Sequence, residues 1–265
     1  MNSVDSLFKQ NKSSGRRAFI PFVTAGDPDL AFTERVLPAM AGAGASLIEV
    51  GFPFSDPIAD GPVIQASYTR ALDKGLKLDD TFSSLEKITS AKSWQTPTVG
   101  MISYSLIYRH GPTRFIAAAK KAGLSGAIVP DLTAEEADDF AKRAREEDFK
   151  LILLVTPTTP AKRAEKIVSL CTGFLYCVSI VGITGEREGL PDTLCDQLSR
   201  LRGMTDLPLC VGFGVSKPDQ VKQLRDIADG VIVGSALVRK LEHPATAEAE
   251  IVRTVSELAG ALNGP

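Results

Sequence analysis

LPLCVGFGVSKPDQVKQLRDIADGVIVGSALVRK, residues 207–240, decides how this chain folds. It contains two short apolar runs, 207–212 and 230–233, with an amphipathic stretch at 218–227 between them. Near-continuous apolar runs mark parallel strands that are buried on both faces. The middle stretch reads as a helix, with Ser216 ahead of Pro218 and Asp219 placing a polar acceptor and an acid at its start. The unit recurs along the chain. Further strand candidates lie at 18–24, 46–50, 98–102, 126–130, 150–155 and 174–179, and helical stretches at 30–42, 113–122, 134–147 and 161–170. A long connection after the second strand adds helical material at 63–74 and 81–91. Thr133 ahead of Glu135 and Glu136 is a second capping signal, and Gly42, Gly75 and Gly123 stand where helices should stop.

Eight such units in about 250 residues predict a single (β/α)8 TIM barrel, with the active site at the C-terminal ends of its strands. A doubly wound open sheet would carry a glycine fingerprint after the first strand, and Thr24-Ala25-Gly26-Asp27 is not GxGxxG. No shift in composition divides the chain, so residues 1–265 are expected to form one domain. Residues ahead of the first strand read as an extra helix with Val4, Leu7 and Phe8 on one face, suited to cover the bottom of the barrel.

The chain has 265 residues, 44% hydrophobic and 23% charged, with a formal net charge of -2. That balance suggests neither a nucleic-acid nor a membrane-surface partner. No apolar run reaches the ~20 residues needed to span a bilayer. The N-terminus lacks the apolar core of a signal peptide. Cys171, Cys177, Cys195 and Cys210 form no CxxC pair and read as reduced thiols, so a cytoplasmic location is expected.

The opening stretch also carries a phosphate-binding pattern. Glycines at the strand ends, in CVGFGVSKP (210–218) and DGVIVGSALVRK (229–240), let backbone N–H groups approach an anion closely. A short helix starting at Gly234-Ser235 would aim its N–H groups and dipole at the same place. Barrels commonly hold phosphate there, after the seventh and eighth strands. The alternative is that these glycines only relieve crowding at the rim.

IEVGFPFSDPIADGP, 48–62, supplies the carboxylates. Glu49 stands at the C-terminal end of an otherwise apolar strand, where burial raises a carboxyl pKa and suits it to acid–base work. A strand-end glutamate serves equally well in an ion pair. Asp56 and Asp60 follow on a loop stiffened by Pro53, Pro57 and Pro62; Asp56 reads as a loop brace and Asp60 as a functional candidate. The glycine-punctuated segment 182–191 is long for a βα loop, hence a lid candidate or an ordinary connection. Phe22, Tyr176 and Phe213, near strand ends, line a pocket or pack the core. Only two histidines are present, His110 and His243, without metal-ligand spacing, so no metal site is expected. No lysine ends a strand and there is no GxSxG, which leaves carboxylate chemistry.

Together, PFVTAGDPD (21–29), IEVGFPFSDPIADGPVIQ (48–65), YCVSIVGITG (176–185), VGFGVS (211–216) and VGSA (233–236) resemble the tryptophan synthase alpha subunit family. The resemblance implies cleavage of indole-3-glycerol phosphate to indole and glyceraldehyde 3-phosphate. It implies a pyridoxal-phosphate-bearing beta subunit as partner in an α2β2 complex, with no cofactor in the alpha chain. By position it makes Glu49 the acid/base at indole C3 and the glycerol hydroxyl, and Asp60 the acceptor of the indole N–H. Phosphate contacts fall on Gly185, Gly214, Gly234 and Ser235. Phe22, Ile102, Ile128, Tyr176 and Phe213 would line the indole pocket, and Thr184 in the lid would reach Asp60. The family often reads Tyr-Asn-Pro where this chain has Tyr104-Ser105-Leu106, near the beta-subunit contact. A stand-alone lyase shares these motifs. Another phosphosugar barrel isomerase would keep the late glycine loops without Glu49 and Asp60, and a silent activating subunit would release no indole.

Overall fold

Every residue of β1 (Ala18–Thr24) is buried, as a parallel strand must be with a barrel interior on one face and helices on the other. The computed structural model describes residues 1–57, 60–179, 192–212 and 214–264. Its further strands are β2 (Ile48–Gly51), β3 (Thr98–Met101), β4 (Gly126–Ile128), β5 (Lys150–Ile152), β6 (Leu154–Val155), β7 (Leu175–Val178), β8 (Leu209–Gly212) and β9 (Gly230–Val233). All pair in parallel, in the order β5-β4-β3-β2-β1-β9-β8-β7-β6. β5 and β6 are two halves of one strand position. β5 pairs with β4 and β6 with β7, and the handover falls on Leu153, whose carbonyl accepts from Tyr176 N at 3.1 Å. The ring therefore has the eight expected positions and is a TIM barrel.

The helices are α1 (Ser3–Ser14), α2 (Leu30–Gly42), α3 (Pro62–Asp73), α4 (Leu78–Thr89), α5 (Tyr104–His110), α6 (Pro112–Lys121), α7 (Asp138–Glu146), α8 (Ala161–Leu170), α9 (Asp192–Arg202), α10 (Pro218–Leu224), α11 (Ser235–Val238) and α12 (Pro244–Asn263). α5, α9 and α12 extend the expected set. Two capping expectations need correction. Ser216 does not cap α10: Lys217 is the N-cap residue, and Gln220 Oε1 accepts from both Ser216 N and Lys217 N. Thr133 donates to Glu136 and α7 begins only at Asp138. Gly75 and Gly123 have the left-handed φ of a helix stop, +78° and +80°. Gly42 remains helical, and the left-handed residue after α2 is Gly44.

α1 covers the bottom of the barrel, the side where the strands begin. Val4 and Phe8 are buried, and the Phe8 ring lies 5.7 Å from that of Phe174, just ahead of β7. Asn2 donates to the carbonyls of Ser125 and Asp148, and Lys150 reaches Asp5 at 2.6 Å. Polar bonds at the helix start thus seat the apolar face that closes the floor. Phe8→Ala should lower unfolding free energy by about 3–5 kcal/mol, the usual cost of emptying a buried phenylalanine site. Urea unfolding checks this, and a change below ~1 kcal/mol would mean that α1 is dispensable to the barrel.

Candidate active site

Because all strands run the same way, their C-terminal ends meet at one rim. Glu49 sits in β2, in register with Phe22 of β1 and Val99 of β3. Its side chain is 1% exposed, and Oε2 has no hydrogen-bond partner among the described residues. Burial first, and then the negative charge of Asp60, push its carboxyl up to about 8.

Asp60 stands just ahead of α3, whose N-terminus is Gly61 followed by Pro62. The Gln65 amide donates to the carbonyls of Asp60 and Pro57, at 2.7 and 3.3 Å, so the first turn of the helix pins the loop back on itself. Burial and the charge of Asp131 raise the Asp60 carboxyl to about 6. The two carboxyls therefore titrate on either side of neutrality. Near pH 7 the site favours a protonated Glu49 and an ionised Asp60, one proton donor and one anion.

Asp60 opens into a pocket that it shares with Phe52, Tyr68, Ile102, Ser103 and Asp131. Asp56 lines it too, and Ser55 Oγ donates to its carboxylate at 2.7 Å, a contact that fits the loop-bracing reading. Asp131 bridges neighbouring strand ends: Ser103 Oγ bonds to it at 2.6 Å and Tyr104 N at 2.8 Å. Of the expected pocket residues, Ile102 lines this opening, while Phe22, Ile128 and Tyr176 are buried in β1, β4 and β7 and do not. Two strand-end glycines make room for aromatic groups. A Cβ on Gly51 would lie 2.4 Å from Phe22 Cζ and 2.8 Å from the Tyr68 hydroxyl, and one on Gly212 only 2.3 Å from the Tyr176 hydroxyl. The carboxylates of Glu49 and Asp60 both act on the two phenols, which burial already pushes above their usual range.

Gly234 is the N-cap of α11, and its carbonyl accepts from Leu237 N and Val238 N at 2.8 and 3.1 Å. Ser235, the first helical residue, is exposed, and a Cβ on Gly234 would stand 3.6 Å from Phe22. This helix start therefore lies beside the ring that is paired in register with Glu49. Gly214, with φ of +77°, is exposed after β8. Thr184, Gly185, Phe213 and the 182–191 segment lie outside the described residues.

Sequence reasoning missed Tyr68 and Asp131. Tyr68 shares the buried face of α3 with Ile64 and Ala71, a helical period that reads as core. Asp131 follows a strand, as an acid at the rim, and could have been found by the signal that found Glu49.

The sequence model of the family described as tryptophan synthase alpha chain matches residues 8–264. A tryptophan synthase alpha chain of Rhodopirellula baltica is 49% identical over 265 residues, covering 98% of this chain and 95% of the relative. The crystal structure of tryptophan synthase subunit alpha from Legionella pneumophila superposes with a TM-score of 0.91 at 32% identity, covering 99% of this chain and 98% of that one. A chain from the tryptophan synthase α2β2 complex of the hyperthermophile Pyrococcus furiosus gives a TM-score of 0.85 at 43% identity, covering 92% and 98%. With its barrel and its paired rim carboxyls, the chain belongs to the tryptophan synthase alpha chain family, the lyases of the alpha-subunit step in tryptophan biosynthesis.

Proposed function

We propose that Glu49 and Asp60 carry out the cleavage of indole-3-glycerol phosphate to indole and glyceraldehyde 3-phosphate. The observation that carries this reading is a buried Glu49 carboxyl whose Oε2 has no partner among the described residues, set at the barrel rim near Asp60, which lines the pocket. The raised proton affinity of both acids agrees with it. Protonated Glu49 delivers its proton to indole C3, and the ring becomes a cation. Ionised Asp60 accepts the ring N–H and stabilises that positive charge. The Glu49 carboxylate then takes the proton of the adjacent carbinol hydroxyl. As the oxygen becomes an aldehyde, the C–C bond breaks and its electron pair returns to the ring. Glu49 ends as it began, and no cofactor in this chain is needed to balance the step.

Gly185, Gly214, Gly234 and Ser235 would hold the phosphate, supported by the open start of α11 beside Phe22. Phe22, Ile102, Ile128, Tyr176 and Phe213 would enclose the indole, and Thr184 would meet Asp60. A beta subunit carrying pyridoxal phosphate is the proposed partner, in an α2β2 complex like that of the Pyrococcus relative. Tyr108, 70% exposed on α5, suits such a contact. The cytoplasm is the proposed location: the four cysteines are free, and no helix among the described residues is long and apolar enough to cross a membrane. One sheet and one continuous core support a single domain over residues 1–265.

Glu49→Gln and Asp60→Asn should each lower indole release by about 10²–10⁴-fold, because an amide supplies neither a transferable proton nor a charge. Near-native turnover in either variant would remove that residue from the mechanism. Their effects on stability should differ from those of a damaged fold. Ionising Glu49 costs more in the folded chain than in the unfolded one, so stability is lost as pH rises from 4.5 to about 8. Glu49→Gln is relieved of that cost and should melt higher than the parent above pH 8, by a free energy on the order of a few kcal/mol.

The pH profile of kcat/KM should be bell-shaped. Its acid limb lies near 6, where Asp60 gains a proton, and its alkaline limb near 8, where Glu49 loses one. In Asp60→Asn the residual activity should lack the acid limb, and the alkaline limb should move down because the charge that raised Glu49 is gone.

Ser235→Asp should raise KM by about tenfold or more by setting a like charge at the phosphate end. Glycerol phosphate should also protect the native chain against heat, through binding linkage. A melting temperature unchanged at saturating glycerol phosphate would refute the assigned phosphate end.

A further inference from the structure

The reaction above needs the Asp60 carboxylate in a fixed place, and the main chain of Asp60 is held on both sides. Asp60 N donates to the Pro57 carbonyl at 3.0 Å, and the Asp60 carbonyl accepts from Gln65 Nε2 at 2.7 Å. The same amide nitrogen donates to the Pro57 carbonyl at 3.3 Å. Both peptide groups that flank the Asp60 Cα are therefore bonded, which restricts its backbone angles and with them the direction of its side chain. Gly61, the N-cap residue of α3, has no side chain that could do this.

Gln65 is itself seated in a rigid frame. Its N–H donates to the Gly61 carbonyl at 3.1 Å, within the first turn of α3. Further along that helix, Asp27, 1% exposed beyond the end of β1, accepts from Ser67 Oγ at 2.5 Å and from Arg70 Nε and Nη2 at 3.1 and 2.6 Å. Such a bidentate pair is geometrically strict. Lys74 Nζ donates to the Pro28 carbonyl at 2.5 Å, so three side chains of α3 grip the segment after β1. A continuous path of bonds runs from β1 through Asp27, α3 and Gln65 to Asp60. Gln65 is exposed, whereas Ile64, Ser67, Tyr68 and Ala71 form the buried face of α3, so its amide has no packing duty.

Resting on the reaction proposed above, we infer that Gln65 is a positioning residue that acts through Asp60: its side-chain amide locks the main chain of Asp60 to α3, so that the carboxylate meets the indole N–H as the ring takes up positive charge. A negative group held in place beforehand stabilises such a charge without reorganising. The benefit falls on the step in which the ring is a cation, and so on kcat rather than on binding.

The test is steady-state indole release by the full chain carrying Gln65→Met, which keeps the length of the side chain and loses both donors. We expect kcat to fall about tenfold, the worth of one lost hydrogen bond. KM should change by less than about twofold. The melting temperature should stay close to that of the parent, as at other exposed positions. Gln65→Asn, whose amide is drawn back by one methylene, should lose a similar factor and covers the case of a poorly folding methionine variant. The decisive readout is Gln65→Met added to Asp60→Asn: a residue that acts through the Asp60 carboxylate should lower kcat no further there. Loss of the same factor in that background would mean a general loosening of the rim. Parent-like kcat in both single variants would mean that the amide is dispensable, and either result overturns the role of Gln65. If Asp60→Asn alone is impaired in those cases, the proposed reaction stands and only this inference falls. Parent-like release by Asp60→Asn would overturn both.

Discussion

Closure of one ring of parallel strands is the constraint on which everything else rests. A parallel ring sends every strand end to the same rim, so residues distant in sequence share one small volume. Glu49 comes from β2, Asp131 from beyond β4, Tyr176 from β7 and Gly234 from beyond β9. Closure depends on residues 150–155, where pairing passes from β4 to β7 across Leu153. A gap there would leave two half-sheets with unpaired edges, and the rim would lose its fixed geometry.

Within that ring the electrostatics are arranged at the expense of stability. An apolar strand holding a carboxyl with an unpartnered oxygen is costly, and the cost shows as a raised proton affinity. Asp60 and Asp131 add further negative charge nearby, and among the described residues no lysine or arginine lines the pocket to neutralise it. The same chain pairs its carboxylates readily elsewhere: Asp27 holds Arg70, and Asp5 holds Lys150. Among the described residues the acids that line the pocket have no ion pair, unlike Asp27 and Asp5 outside it.

Much of this was legible in the chain. Apolar runs at parallel-strand spacing marked all eight positions of the ring, and α8 was found with the bounds it has. Glu49 stood out because an acid within an apolar strand needs either an ion-pair partner or a function, and the sequence left those two readings equal. The glycine pattern before Ser235 marked the start of α11, where Gly234 is the N-cap residue. Errors fell where local signals compete. Ser216 resembles a cap, yet Gln220 reaches back and takes both N–H groups.

By itself, then, the sequence determined the barrel class and the family and singled out the two carboxyls, because each rests on local pattern or on residue type. Tertiary structure decided what depends on meeting across the ring. The split of the fifth strand position is a matter of which neighbour each half pairs with. The proton affinity of Glu49 is raised by burial and the charge of Asp60, and that of Asp60 by burial and the charge of Asp131, which no local pattern encodes. Tyr68 is the plainest case. Along the helix it is one more buried position in an apolar stripe, and only the fold brings its hydroxyl over Gly51 and the residue into the pocket that Asp60 lines. A side chain's chemistry is written in the sequence; its surroundings arise when distant segments pack.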